Sequence, residues 1–168
     1  VRVIVLPRLL TKEEEKYYKQ RNIRINSSRF AVDGIALIVN KDNTDSTITV
    51  RELIDAIKGK SSNRKFMLDN ASSSTFQYLK RLAGVTQFPS DGMFVKDNSD
   101  EVIDFISKDK SYIGILGVNW LSEKNVKMAG ALSNVKVMGL KNLKGEPGDD
   151  KFYKPTQTNL INGIYPLL

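Results

Sequence analysis

Residues 34–39 of the run GIALIVN are almost continuously apolar, and this restricts the fold more than any other stretch of the chain. A strand with one wet face alternates apolar and polar residues. One without alternation has to be covered on both faces, as in a parallel or mixed sheet lying between helices. The rest of the chain must supply those helices, and strand-like and helix-like segments do alternate along it. The expected class is α/β, with a mixed, mainly parallel sheet flanked by helices.

In chain order, VRVIVL reads as a β-branched strand ended by Pro7. Thr11 with Glu14 forms a capping box, and Glu13 to Glu15 favour the positive end of a helix that fades by Gln20 or Arg21. Tyr17 and Tyr18 read as packing residues on that helix. NIRINSSRFAV is extended and delivers the chain to GIALIVN, and Asp33 just before it suits either a contact to ligand or, the favoured reading, the cap of a turn. The polar turn KDNTDS carries Asp42 and Asp45 but lacks the glycine and distal glutamate of an EF-hand, so it reads as a solvated loop.

Thr49 and Glu52 cap a second helix with Val50, Leu53, Ile54 and Ile57 inward, and Gly59 stops it. After the loop KSSNR, KFMLD is a short strand. The helix beyond it turns Phe76, Leu79, Leu82 and Ala83 to the core and ends at Gly84. GMFVK is a strand, followed by a helix over about 99–108 with the stripe Val102, Ile103 and Ile106. SYIGILGVNW and VKVMGL read as two more strands; Gly114 and Gly117 of the first suit close approach of backbone or ligand, and Trp120 suits a half-buried core position. KNLKGEPGDDK has the composition of an exposed loop. A short helix from Pro155 and Thr156 through Ile161 then precedes an extended GIYPLL.

At 168 residues, 40% of them apolar and 27% charged, the chain suits a single globular lobe. It has no cysteine and no histidine, which removes Cys- and His-dependent catalysis and the common zinc sites, so no metal or other cofactor is expected. The net charge of +7 favours anions, but lysines and arginines are scattered and do not interleave with aromatics, so no nucleic-acid partner is expected. No apolar run approaches the roughly 20 residues that span a bilayer. The chain opens on Val1 rather than methionine, which suits a processed or excised piece.

The stretch that carries chemistry is DNASSSTFQYLK, residues 69–80. Three serines and a threonine stand where a helix begins, so their hydroxyls and the unpaired first-turn N–H groups can converge on an oxyanion. The same residues also allow a plain cap, with Ser74 accepting from the first turn and Gln77 bonding back.

The order AVDGIALIVN, ITVRELIDAIKGK, LDNASSSTFQYLK, SYIGILGVNW, GIYPLL resembles the periplasmic phosphate-binding protein family of ABC transporters, and more closely its divergent Bacteroides-type phosphate-binding-like branch. The resemblance covers nearly the whole chain. It implies a two-lobed type II periplasmic-binding fold in which an oxyanion is held in a cleft by helix N-termini, hydroxyls and amides. This chain would then be a fragment lacking most of the first lobe. Residues 1–30 would be a remnant of that lobe, 31–40 and 160–168 hinge strands, and 41–159 a complete ligand-binding lobe.

The ligand-binding residues implied are Ser72, Ser73, Ser74, Thr75, Asp69 and Asn70. The family motif is an arginine, three intervening residues, then Ser-Gly-Thr. Its serine, glycine and threonine fall on Ser73, Ser74 and Thr75, but its arginine falls on Asp69. A carboxylate repels a phosphate dianion where a guanidinium would clamp it. Either Lys65, Lys80 or Arg81 compensates, or the ligand is not phosphate; Asp69 and Asn70 suit sugar-like hydroxyls.

The resemblance further implies a non-catalytic solute-binding component of an uptake system, with a small anion such as phosphate and a membrane permease as partners. Its place would be the periplasm or cell envelope, with a lipid anchor on the full-length protein, and the fragment would be monomeric. The alternative within the same fold is a non-transport binding or sensing module for a carbohydrate or protein. An enzyme with Ser73 or Ser74 activated by Lys80 is a third reading, weakened because a lysine six residues along a helix does not share the serine's face.

Overall fold

The computed structural model describes residues 3–6, 9–28, 31–60, 63–122 and 126–168. The chain divides into two compact units, Val1–Ala31 and Val32–Leu168. In the first, α1 (Lys12–Gln20) begins with the expected capping box between Thr11 and Glu14, and its C-cap is Arg21. None of its residues is buried. Tyr17 is half exposed and packs edge-on against Tyr18, with the Arg21 guanidinium 3.7 Å from its ring. The strand expected from VRVIVL is not formed over residues 3–6, which lie exposed outside regular structure. β-branched residues make a strand only where a neighbour completes the ladder. Pro7, expected to end that strand, lies outside the described residues.

The second unit is built on a five-stranded sheet. Its strands are β1 (Ile35–Asn40), β3 (Lys65–Leu68), β4 (Met93–Val95), β5 (Tyr112–Gly117) and β6 (Val135–Val137), in the order β4-β3-β5-β1-β6. β3 is parallel to β4 and to β5, while β1 is antiparallel to both β5 and β6. Four strands therefore share one direction and β1 alone opposes them. Every residue of β1 is buried, as a run without alternation requires.

The pleat of β1 divides the core in two. Ile35, Leu37 and Val39 join the cluster under α2 (Val50–Ile57) and α3 (Ser74–Ala83), and Ile38 joins Val102, Ile103 and Ile106 of α4 (Ser99–Lys108) on the opposite face. The chain forms helices on both faces because α2, α3 and α4 each present an apolar stripe. Gly114 of β5 serves this packing rather than a ligand. A Cβ there would stand 2.9 Å from the side chains of Ile106 and Ile38 and 3.0 Å from Val102.

Two segments depart from their expected form. VKVMGL is divided at the fully buried Met138 into β6 and β7 (Gly139–Lys141), and β7 leaves the main sheet to pair in parallel with β2 (Thr47–Thr49), a strand the sequence did not reveal. The backbone shows the handover: Met138 N–H donates to Leu37 in the main sheet, and Gly139 N–H donates to Ser46 beside β2. SYIGILGVNW remains a strand only to Gly117, after which Val118–Leu121 coil into a 3-10 turn carrying Trp120, which is 37% exposed.

A short helix, α5 (Ala129–Leu132), precedes β6, and the last helix, α6 (Gln157–Ile161), starts one residue beyond its Thr156 cap. After it, Tyr165 and Leu167 are buried against the start of β1: Tyr165 Oη donates to the Ile35 carbonyl at 2.6 Å, and Ile35 N–H donates to the Leu167 carbonyl at 3.0 Å. The connector before α6 is anchored by Gly148. Its φ of +86° and the Ile164 carbonyl, 2.1 Å from where a Cβ would stand, exclude a side chain there.

Candidate functional site

Parallel strands that feed helices put the helix N-termini at one end of the sheet, outside the strands' carboxyl ends. Here β3 runs into α3 through residues 69–73, and the neighbouring β4 runs into α4 through residues 96–98. Both turns contain an Asp-Asn pair, Asp69-Asn70 and Asp97-Asn98, and they are tied together where Asn70 Nδ2 donates to the Asp97 carbonyl at 3.2 Å.

At the start of α3 the cap is Ser73, one residue earlier than expected. Its Oγ accepts from Phe76 N–H at 3.1 Å. Gln77 does not bond back to the cap; its amide Nε2 reaches the Ala71 carbonyl at 2.9 Å. The offset follows from the turn. Asn70 Oδ1 accepts from Ser72 N–H at 3.1 Å and from Ser72 Oγ at 2.5 Å, which sets the helix to begin after Ser73. Helical geometry then leaves the N–H groups of Ser74 and Thr75 without intrahelical acceptors. Ser72 and Ser74 are exposed, whereas Thr75 is buried.

Asp69 joins the two helix starts. It is only 7% exposed, and its carboxylate accepts from Ser73 Oγ at 2.5 Å and from Ser99 Oγ at 3.0 Å. Ser99 is the first residue of α4 and is buried, and α4 is capped by Asn98 accepting from Glu101 N–H at 3.0 Å. Asp69 therefore faces the positive ends of two helices, and among the described residues it has no ion pair. The cations considered as compensation stand elsewhere. Lys65 is at the other end of β3 over the Tyr112 ring, Lys80 lies over Phe76, and Arg81 sits in the last turn of α3.

The six residues expected at the site are thus gathered at one strand-to-helix turn, with different duties. Asp69 and Ser73 are committed to each other, Asn70 shapes the turn, and Ser72 and Ser74 face solvent. Sequence reasoning missed Ser99, 30 residues from Asp69. The repeated strand, Asp-Asn, serine, helix order was the signal that could have found it. Asp33 caps its own turn, accepting from Gly34 N–H at 2.8 Å. Lys80, with its ammonium over Phe76, leaves Ser73 and Ser74 without the lysine base the enzyme reading needs. Asp45, considered for calcium, is bound to Arg64 at 2.9 Å.

With this geometry in view, comparison with known proteins becomes specific. A family model described as the PBP superfamily domain matches residues 1–168. The chain belongs to this family. Among curated proteins it is 24% identical over 170 residues to the phosphate-binding protein PstS of Staphylococcus epidermidis, covering 92% of this chain and 47% of that protein. Among solved structures it is similar to a "possible phosphate binding protein" from Planctomyces limnophilus, with a TM-score of 0.69 and 20% identity over 95% of this chain and 58% of that one. It is also similar to an ABC-type phosphate transport receptor from Vibrio cholerae, with a TM-score of 0.61 and 21% identity over 94% of this chain and 60% of that one. The chain thus spans about half the length of the curated relatives it matches. As a family member it has the α/β architecture of one lobe of the periplasmic-binding-protein fold, with a mixed sheet flanked by helices.

Proposed function

We propose that this PBP-family chain is the solute-binding part of an ABC-type uptake system, non-catalytic, and that the start of α3 is where phosphate or another small oxyanion meets it. One observation carries the proposal. The N-terminus of α3 stands at the carboxyl end of β3 beside the N-terminus of α4, with the exposed hydroxyl of Ser74 at its mouth. The curated relative of Staphylococcus epidermidis is named for phosphate binding, and the Vibrio cholerae structure for phosphate transport, which supports the same class of ligand.

In this reading residues 1–30 belong to a partner lobe, 31–40 and 160–168 are the hinge, and 41–159 form the lobe that holds the ligand. The hydrogen bonds joining Ile35 to Leu167 and Tyr165 support a hinge made of adjacent outgoing and returning segments. Closure of two lobes about it would trap the solute and present it to a permease at the cell envelope. The test is calorimetric titration of the natural-length protein with phosphate, sulfate and a panel of sugars. Heat with a small anion is expected; silence with every small anion would sink the oxyanion reading.

A second reading rests on Asp69, whose carboxylate falls, by the resemblance of the motif, where phosphate-binding relatives would carry an arginine. It is a non-transport binding or sensing module for a carbohydrate or protein. Heat with a sugar and none with any anion favours it.

A further inference from the structure

Ser73 and Ser99 each have a single hydroxyl proton, and each donates it to Asp69. Neither hydroxyl can then donate to an external oxyanion at the same time. The carboxylate also takes the place such an anion would seek. It is 7% exposed, it lies between Ser73 at the cap of α3 and Ser99 at the first turn of α4, and among the described residues no cation pairs with it. Its charge is therefore poorly screened by solvent, and its repulsion of a bound ion grows in proportion to that ion's charge.

We infer that Asp69 sets the charge of the ligand this lobe accepts, disfavouring doubly charged oxyanions relative to singly charged ones of the same shape. Asp69 is thus a specificity-determining residue of the proposed site, an inference that rests on the reading that solute meets the lobe at the start of α3. In the Asp69→Asn variant the negative charge is gone, one of the two hydroxyls regains a free proton, and the side-chain oxygen still holds the other.

The test compares sulfate with perchlorate, tetrahedral ions that carry two charges and one and no proton at neutral pH. The amide shifts of Ser74 and Thr75 in the natural-length protein are titrated with each ion at constant ionic strength. In Asp69→Asn the sulfate affinity, taken as a ratio to that of perchlorate, is expected to rise at least tenfold. Asp69→Glu disturbs the same packing but keeps the charge, and its ratio is expected to stay within about threefold of the unaltered chain. A merely structural role would move both affinities together and leave both ratios alone. An unchanged ratio in Asp69→Asn, or an equal rise in Asp69→Glu, overturns the inference while leaving the site standing. If neither ion shifts these amides in any of the three proteins, the reading of the α3 start as a binding place fails and the inference falls with it.

Discussion

The starts of α2 and α3 use the same chemistry to opposite ends. Each has a hydroxyl cap and a carboxylate that hydrogen-bonds to the cap residue. At α2 the partners are Thr49, half-buried, and Glu52, exposed, three residues apart: Glu52 accepts from Thr49 N–H at 2.7 Å, and Thr49 Oγ1 accepts from Glu52 N–H at 3.1 Å. The circuit closes on itself and concerns one helix, apart from the exposed pairing of Glu52 with Arg64 at 3.3 Å. At α3 the carboxylate comes from the end of the preceding strand, is buried, and reaches a second helix through Ser99. A local circuit makes a helix end; a shared buried carboxylate makes a junction, and only a junction can carry specificity for something outside the chain.

The largest effect that can test this contrast is Asp69→Ala. It strips the acceptor from the buried hydroxyl of Ser99 and from the cap of α3, and should cost roughly 3 kcal/mol in urea unfolding. A loss below about 1 kcal/mol would mean the junction is not stabilising. In a double-mutant cycle Asp69→Ala and Ser99→Ala should fall short of additivity by about 1 kcal/mol, whereas Asp69→Ala with Thr49→Ala should add to within about 0.5 kcal/mol. Coupling between the last pair would erase the distinction between local and shared circuits.

Ser73→Ala removes a cap and one partner of Asp69, and is expected to cost about 1 to 2 kcal/mol. Thr49→Ala removes only a cap and should cost about 1 kcal/mol. The order of those two urea midpoints is the direct comparison of the two helix starts.

The smallest effect is in Glu52→Gln, present at neutral pH and fading on acidification. Burial pushes the Glu52 carboxyl up, but the backbone and side-chain hydrogen bonds from Thr49 and the charge of Arg64 outweigh it and hold it below its ordinary value of 4.5. A carboxyl lowered on folding contributes stability above its unfolded value, and this is lost as pH falls through its folded one. Glu52→Gln should therefore cost a few tenths of a kcal/mol at pH 7 and converge with the unaltered protein as pH falls below about 4.5, which flattens the acid limb. Parallel curves for the two proteins from pH 3 to 7 would rule this out.

How much of this was legible in the sequence depends on how local the cause is. The α2 cap and the run of α4 over residues 99–108 were read correctly, because capping boxes and apolar stripes are written within one or two turns of helix. Gly84 as the stop of α3 was equally plain, and it sits at φ +68°. The serine-rich turn was found as a candidate but its cap was misplaced by one residue. Three serines in a row are equivalent in sequence until the Asn70 turn chooses among them.

The sequence by itself determined the α/β class, the burial of β1 on both faces, and the helix starts that carry the chemistry, because each follows from periodicity or capping over a few neighbouring residues. Only the tertiary structure decided that Met138 would divide one apparent strand between two sheets, that residues 3–6 would form none, and that Asp69 and Ser99 would meet. These outcomes depend on which segments lie side by side. A strand needs a neighbour and a buried carboxylate needs donors, and neither partner is fixed by the residues next to it in the chain.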